Sequence, residues 1–455
     1  MNDNAISYQP TANSQPITAA QRGWLTLLAA GLLALALCLA GAAHAGWWLG
    51  AALALTSVGT LGWSRATFGA ARPAGVHLDG IWAPGSTARG ALAWLTGLLL
   101  TVFYVMLYWF SGNDGHGNFG LLTPAIHALD GFSQTLRGRA ADQWFLYGTF
   151  YTLAVGLMGA RAAYKYRHSR YQLLRTGSLV FFQQPEFYFT YFWPLKYNYL
   201  FPNDVRALAS GPGLGVFMVV WGAVLTLVAT PVLTYFFGKR WYCSWVCGCG
   251  GLAETAGDPY RHLADKSQGA WRLEVRLVYP ILAFITLLTL LLWLGATGLL
   301  PAWFTTARAG SLAFFHNVSP LDALSKTYGF VVGAVFSGVV GVGFYPILGA
   351  RVWCRFGCPM AAYLGLLQKH FSRFRISTNG GQCISCGNCS NICEMGIDVK
   401  QYAQRGEPII RASCVGCGMC ATACPRGVLK LENGPTAGRY AASALIAPES
   451  LRLLS

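Results

Sequence analysis

Two short stretches near the C-terminus repeat one cysteine spacing, and that repeat constrains the chain more than any other feature. Cys383, Cys386, Cys389 and Cys393 form the first run; Cys414, Cys417, Cys420 and Cys424, followed by Pro425, form the second. Both read C-x2-C-x2-C-x3-C. Three thiolates this close on one short loop suit three irons of a [4Fe–4S] cubane, whose fourth iron needs a sulfur from elsewhere. Structural zinc is the rival, but zinc ribbons draw on two ligand pairs and not on tandem four-cysteine runs. Cys393 is followed by Glu394 where the second run has Pro425. The change bears on the local turn or the cluster potential and removes no ligand.

The spacing resembles that of a two-cluster bacterial ferredoxin. The resemblance implies that the chain folds back on itself and the runs exchange their last cysteines. One cluster would use Cys383, Cys386, Cys389 and Cys424, the other Cys414, Cys417, Cys420 and Cys393. A two-[4Fe–4S] ferredoxin domain is therefore expected over 376–433, with a short tail over 434–455.

The rest of the chain reads as a bilayer protein. Its residues are 54% hydrophobic and 11% charged, against about 25% charged in soluble domains. Eight stretches approach the length needed to cross about 30 Å of hydrocarbon: 23–43, 47–63, 91–110, 144–162, 177–200, 213–237, 274–300 and 328–348. The second is short, and the fifth carries Gln183, Gln184, Pro185 and Glu186. The expected fold is mainly α: a polytopic membrane helical bundle of about eight spans over 23–375, a polar N-terminal tail over 1–22, and the C-terminal cytoplasmic two-cluster ferredoxin domain. Ala43-His44-Ala45 resembles a signal-peptidase site, but the long polar leader with a weak basic region fits an uncleaved anchor.

Charge orients the spans. The formal net charge is +16, and basic residues crowd 65–72, 161–175, 239–276 and 351–375, after spans two, four, six and eight. Lys and Arg favour cytoplasmic loops, so both termini are expected inside the cytoplasmic (inner) membrane. The intervening loops 111–143, 201–212 and 301–327 are less basic, Arg137 and Arg139 apart. The excess charge also suits anionic membrane lipid. No nucleic-acid motif accompanies it. All cysteines except Cys38 then fall on the cytoplasmic side, where disulfides are rare; they read as metal ligands or redox thiols, and Cys38 as packing.

Two further motifs resemble each other. Gly238-Lys239-Arg240-Trp241-Tyr242-Cys243-Ser244-Trp245-Val246-Cys247 closes the sixth span, and Gly349-Ala350-Arg351-Val352-Trp353-Cys354-Arg355-Phe356-Gly357-Cys358-Pro359 closes the eighth. The shared pattern is G-x-R-x-[WY]-C-x3-C. It suggests a parallel repeat whose two-fold axis runs along the membrane normal, with Cys243, Cys247, Cys354 and Cys358 converging at the membrane edge. A helical C-x3-C turn puts both sulfurs on one face, and four thiolates suffice for one cluster. Arg240 and Arg351 would offset its charge. A third iron–sulfur or other metal site, a redox thiol pair in each copy, and structural cysteines are the open readings. Cys249, in Cys247-Gly248-Cys249, is a spare or replacement ligand.

These residues resemble the NosR/NapH/CcoG group of membrane polyferredoxins. So do His168-Ser169-Arg170-Tyr171-Gln172, Phe181-Phe182-Gln183 and Phe192-Trp193-Pro194-Leu195-Lys196-Tyr197. The likeness covers roughly 140–430. It implies electron transfer in nitrous oxide or nitrate respiration, or copper handling. The chain departs from the group in Cys247-Gly248, where Cys-Pro is usual, and in lacking the group's large flavin-binding or trailing soluble domains.

Other chemistry has little support. The histidines form no haem-ligating pair within one bilayer core, no C-x-x-C-H occurs, and neither a phosphate-cradling loop nor a nucleophile–base arrangement stands out. Glu186 and Lys196 lie among aromatic residues. Ionisable groups at membrane depth mark functional sites, so a quinone pocket there competes with an interfacial belt. The expected function is a membrane-bound iron–sulfur electron carrier, an electron-transfer subunit of a quinol-linked oxidoreductase. It would pass electrons between the cytoplasmic clusters and the quinone pool or a partner redox subunit. A copper-handling reductase or maturation factor for a respiratory metalloenzyme is the alternative; a redox sensor would need a separate partner.

Overall fold

The computed structural model describes residues 18–40, 43–68, 91–110, 120–188, 224–238, 240–296, 298–306, 319–378 and 382–433. α1 (Ala19–Leu39) starts at a capping box: Thr18 accepts from the Gln21 amide, and the Gln21 side chain returns to the Thr18 amide. Two amides that a helix start leaves without partners are thereby satisfied. α2 (Ala45–Phe68) folds back on α1. Small residues let the two backbones close: a Cβ at Gly31 would lie 2.7 Å from the Thr56 side chain, and one at Gly59 would lie 2.9 Å from Leu28. Such close approach is what holds helices together in lipid, where burial between helices gains little.

α3 (Ala91–Trp109), α4 (Gln143–Lys165) and α5 (Arg170–Tyr188) follow. Asp142 caps α4 by accepting from the Phe145 amide at 2.7 Å, and Gly159 leaves room for Val180 of α5. Two copies of one arrangement then build the centre. In the first, α6 (Leu225–Phe237) stops at Gly238 and is followed by α7 (Trp241–Trp245) and α8 (Gly248–Glu254). α9 (Gln268–Ala296) connects the copies. In the second, α10 (Pro320–Val340), widened to π-helical turns over Gly329–Val340, leads to Gly349, α11 (Val352–Phe356) and α12 (Pro359–Phe371). Gly238 and Gly349 take φ of +65° and +93°, where a side chain would be strained. The glycine that opens each repeated motif is therefore the stop of a helix.

Among the described residues three helices are both long and apolar enough to cross a bilayer, where the sequence suggests about eight: Ala19–Leu39, Gln268–Leu292 and Pro320–Val340. Ala93–Trp109 and Leu225–Phe237 are apolar but shorter. α2 and α4 overlap the candidate spans 47–63 and 144–162. Candidates 177–200 and 213–237 run into 189–223, outside the described residues. Leu98, Leu99, Leu227, Leu287 and Leu290 stand exposed on α3, α6 and α9, a surface suited to hydrocarbon.

The C-terminal unit is closed by β1 (Phe374–Thr378) and β2 (Leu429–Asn433), an antiparallel pair with Ile376 opposite Leu431. Its apolar core does not stop at its own boundary. Ile397, Val399, Val415 and Leu429 are continuous with Cys243, Ala361 and Leu364 of the helical part. Gln368 of α12 donates to the Arg411 and Ala412 carbonyls at 2.6 and 2.7 Å, and Ser244 to that of Val415.

Charge completes the junction. Glu254 accepts from Arg175 at 2.7 Å, from Arg351 at 2.8 Å, and from Arg261. Arg261 and Arg351 also meet Glu394 of the C-terminal unit at 3.0 and 3.1 Å. Asp258 holds Arg161, Lys165 and Arg261 at 2.9–3.0 Å. All of these groups are buried or nearly so. Removing one partner of a buried ion pair leaves the others desolvated and uncompensated. Glu254→Ala should therefore lower unfolding stability by about 3–5 kcal/mol, read as a lower denaturation midpoint in detergent. An unchanged midpoint would mean that the network does not secure the junction.

Candidate redox and metal centres

Each cysteine run of the C-terminal unit is a loop that ends in a single helical turn, Asn388–Asn391 or Met419–Thr422. Positive φ recurs at matching places in the two runs: Ser385 and Gly416, Gly387 and Gly418, Gly396 and Gly427. The shared backbone path sets Cys424 with Cys383, Cys386 and Cys389 around one recess. Burial pushes the Cys389 thiol up to about 12, with Cys386, Cys424 and Cys383 as its thiol neighbours. Burial also raises Cys420, whose thiol neighbours include Cys417, Cys414 and Cys393. Cys424 thus shares a recess with the first run, and Cys393 has Cys414 and Cys420 as thiol neighbours, the grouping expected of runs that exchange their last cysteines. Thiols held protonated must lose their protons to bind iron, so loading these sets releases protons.

Glu394 fills the position where the second run has Pro425. Burial raises its carboxyl to about 7 against the pull of Arg261 and Arg351, and the neighbouring Glu254 adds to the rise. Glu254 is also buried, but Arg175, Arg261 and Arg351 more than reverse that effect and hold it well below the usual range. Ligand atoms of Glu254, Glu394 and Cys417 lie within 4.8 Å of one another. The ion network therefore abuts the thiol set of the second run. Cys417 is itself pushed up to about 12, by burial first and then by Glu394 and Glu254.

The paired C-x3-C motifs meet. Arg240 of the first copy donates to the Cys354 carbonyl at 3.3 Å, and Arg351 of the second donates to the Cys243 carbonyl at 3.4 Å. This reciprocal exchange has the two-fold character of the sequence repeat. The sulfurs do not share one helix face, however. Each first cysteine lies on a one-turn helix, and each second cysteine precedes the next helix, Cys247 before α8 and Cys358 before α12. In both copies the break is made by the same bond, from the second cysteine's amide to the carbonyl of the motif's aromatic residue: Cys247 to Tyr242 at 2.8 Å and Cys358 to Trp353 at 2.9 Å. A Cβ at Gly250 would collide with the Cys243 carbonyl, so the first loop can be this tight only with glycine there. Arg240 Nε is buried near these thiols with no hydrogen-bond acceptor among the described residues, a donor that suits a sulfur-rich anion.

All four thiols, with Cys249, line a cavity of about 790 Å³. Tyr104, Tyr108, Tyr147, Tyr151 and Tyr345 form much of the opposing wall, and the cavity reaches Arg137, Arg139 and Asp142 before α4. Tyr151 donates to the Gly248 carbonyl at 2.7 Å. Along α4 the cavity thus occupies the Asp142–Tyr151 end, whereas the Asp258 pairs occupy the Arg161–Lys165 end. The cysteine site thus sits level with Tyr151, near the middle of α4.

α5 joins the two regions. Tyr171 and Gln172 donate to the Gly416 and Cys417 carbonyls at 2.9 and 2.7 Å. Ser178 and Gln183 donate to the Trp245 and Val246 carbonyls at 2.9 and 2.7 Å. The stretch that carried the family resemblance is therefore a strut between the second thiol run and the first C-x3-C loop. The sequence reading missed the tyrosine wall and the ion network. Tyr104/Tyr108 and Tyr147/Tyr151 do show the i, i+4 spacing of one helix face, and Glu254 and Asp258 stand out as acids in a basic segment. Cys38 is buried among Leu49, Leu107 and Phe145, away from all thiol sets. Lys196 and the Glu186 side chain lie outside the described residues.

Comparisons with known proteins agree on iron–sulfur chemistry. A 4Fe-4S binding domain family matches residues 220–267 and 329–378, one match over each C-x3-C motif, and a 4Fe-4S dicluster domain family matches 382–434. The chain is 28% identical over 188 residues to the putative electron transport protein YccM of Escherichia coli, covering 40% of this chain and 48% of that protein. It is 29% identical over 197 residues to the methylamine utilization ferredoxin-type protein MauN of Paracoccus denitrificans, covering 41% and 61%, and 26% identical over 176 residues to MauN of Methylobacillus flagellatus, covering 38% and 55%. The matches thus span about half to three-fifths of these relatives. No solved structure matches the chain.

The grouping of thiols yields a direct test. Cys386→Ser and Cys424→Ser should abolish the same EPR signal although they belong to different runs, and Cys417→Ser and Cys393→Ser should abolish the other. Loss of one signal by both Cys386→Ser and Cys393→Ser would show that the runs do not exchange ligands.

Proposed function

We propose that this iron–sulfur electron-transport protein, of the membrane polyferredoxin type, passes single electrons between two [4Fe–4S] clusters in its C-terminal unit and the membrane quinone pool or a partner respiratory subunit. Cys383, Cys386, Cys389 and Cys424 hold one cluster, and Cys414, Cys417, Cys420 and Cys393 the other. Cys243, Cys247, Cys354 and Cys358 hold a third metal centre, for which a [4Fe–4S] cluster fits best. The convergence of these four thiols on one cavity carries the proposal. Both C-x3-C segments match a 4Fe-4S binding domain, and buried Arg240 and Arg351 stand ready to offset negative charge.

The clusters, when bound, supply one-electron reservoirs. The protein's own residues fix their order and exclude water. α5 touches the Cys417 loop at Gln172 and the Cys247 loop at Gln183. Eleven residues of helix separate those contacts, about 16 Å along the axis. Beyond the C-x3-C site, the tyrosine-walled cavity lies within the roughly 300–1,000 Å³ range of small-ligand sites. Its hydroxyls in apolar walls suit a quinone headgroup. The chain makes and breaks no substrate bond; it is the electron-transfer subunit of a quinol-linked oxidoreductase. The Asp258–Leu263 turn and the C-terminal unit touch through Arg261 and Glu394, so they share one side of the bilayer. The basic segments favour the cytoplasm for that side.

Anaerobically purified protein should contain about twelve irons per chain, falling to about eight in Cys354→Ser and in Cys243→Ser. About eight irons in the wild type would remove the third cluster, and copper at that site would favour metal handling. Truncation fusions after residues 260 and 433 should both report a cytoplasmic location. An outside signal from either would reverse the topology.

A further inference from the structure

The two thiol sets of the C-terminal unit are not equally placed. The set of the second run is closed in by the helical part. Cys414 and Cys420 are buried, Tyr171 and Gln172 take the Gly416 and Cys417 carbonyls, and Ser244 takes that of Val415. Among the described residues the first run has no such cover. Cys386 is exposed, and Ile384 beside it is 56% exposed. Ser385 holds φ +58° where the second run has Gly416, a conformation costly for a residue with a side chain. It is braced within the unit itself, by Gln404 donating to the Ser385 hydroxyl at 2.7 Å. Lys400 and Arg426 line the same recess as Cys383, Cys386 and Cys424, and among the described residues no carboxylate does.

We propose that this face is the docking surface for a small, soluble, acidic one-electron carrier protein that exchanges electrons with the cluster of the Cys383 set. The inference rests on the electron-transfer reading above and adds the identity of the donor side. An exposed apolar side chain flanked by cations has the anatomy of a transient interface: Ile384 as the anchor, Lys400 and Arg426 as the charged rim. Charge complementarity makes the partner acidic. Exposed Cys386 and Ile384 put the thiol set within reach of a seated carrier, so the occupant proposed is a protein carrier, with the anionic membrane surface as the competing outcome of the test. The step moves one electron, from the reduced carrier to a [4Fe–4S] cluster that goes from the 2+ to the 1+ state, and involves no proton and no bond change.

The test uses the full-length, cluster-loaded protein in nanodiscs of zwitterionic lipid, with an acidic flavodoxin as probe. Oxidised flavodoxin should bind, with affinity falling as salt rises. Lys400→Glu and Lys400→Glu/Arg426→Glu should weaken binding by about tenfold or more and flatten the salt dependence, and Ile384→Asp should weaken it with the salt dependence kept. EPR should show both clusters of the C-terminal unit intact in every variant. Charge-reversed protein that binds like wild type would overturn the proposal, as would a cationic cytochrome binding better than flavodoxin, or anionic vesicles competing flavodoxin off the face. Dithionite separates the two levels of argument. If dithionite-reduced protein passes electrons to a soluble quinone analogue while flavodoxin neither binds nor reduces it, only the docking face fails. If dithionite-reduced protein passes none, the electron-transfer reading itself fails.

Discussion

A single buried carboxylate, Glu254, is shared by Arg175, Arg261 and Arg351, and the rest of the arrangement depends on it. Desolvating three guanidinium groups is costly unless each is paired. Glu254 pairs all three within the helical part, and Glu394 adds a second carboxylate for Arg261 and Arg351 when the C-terminal unit is seated. With Asp258, the network sets five cations, Arg161, Lys165, Arg175, Arg261 and Arg351, against three carboxylates. Two of its carboxylates, Glu254 and Glu394, lie against Cys417 of the second thiol set, with Arg175 and Arg261 close behind them. A thiolate-ligated cluster carries net negative charge, so loading that set balances the surplus. Docking, charge neutrality and cluster binding are therefore one coupled problem, solved at one junction.

The same junction explains how a ferredoxin-like unit serves a membrane protein. Its inner thiol set is locked onto α5 and α12, and its outer set is left open. The C-x3-C site lies further along α5, held by Ser178 and Gln183 and by the reciprocal Arg240 and Arg351 contacts. Beyond it lies the tyrosine-walled cavity. The Cys417 loop and the Cys247 loop are both fixed by side-chain hydrogen bonds from α5 to backbone carbonyls, which suits electron transfer, where the spacing of centres must not fluctuate.

Much of this was legible in the residues. Thiol spacing alone pointed to two four-cysteine sets, because the spacing of short-range metal ligands is a local property. The repeated G-x-R-x-[WY]-C-x3-C was legible for the same reason, and its glycine, arginine and aromatic each have a definable task in the fold. The break between the two cysteines of each copy was not legible. C-x3-C is compatible with a continuous helical turn, and only the tertiary position of Cys247 and Cys358, each ahead of a further helix, ends it. Glu394 read as a small departure from Pro and proved to be half of a domain junction, since its partners Arg261 and Arg351 are far away in sequence. Tyr104 and Tyr147 come from helices whose packing no local pattern announces. Hydropathy placed about eight spans, whereas three described helices meet both length and apolarity; runs such as 47–63 and 144–162 mix helix-packing small residues and polar groups into their apolar stretch.

The central claim is a continuous line of centres from the exposed first run to the buried C-x3-C site. Redox titration of the anaerobically purified protein, followed by EPR, tests it most directly, because paramagnets held close in one rigid frame broaden and relax one another. Three [4Fe–4S] signals are expected, with the signal lost in Cys417→Ser coupled magnetically to each of the other two. A spectrum with no third signal, or a third signal indifferent to the reduction of the others, would contradict the arrangement.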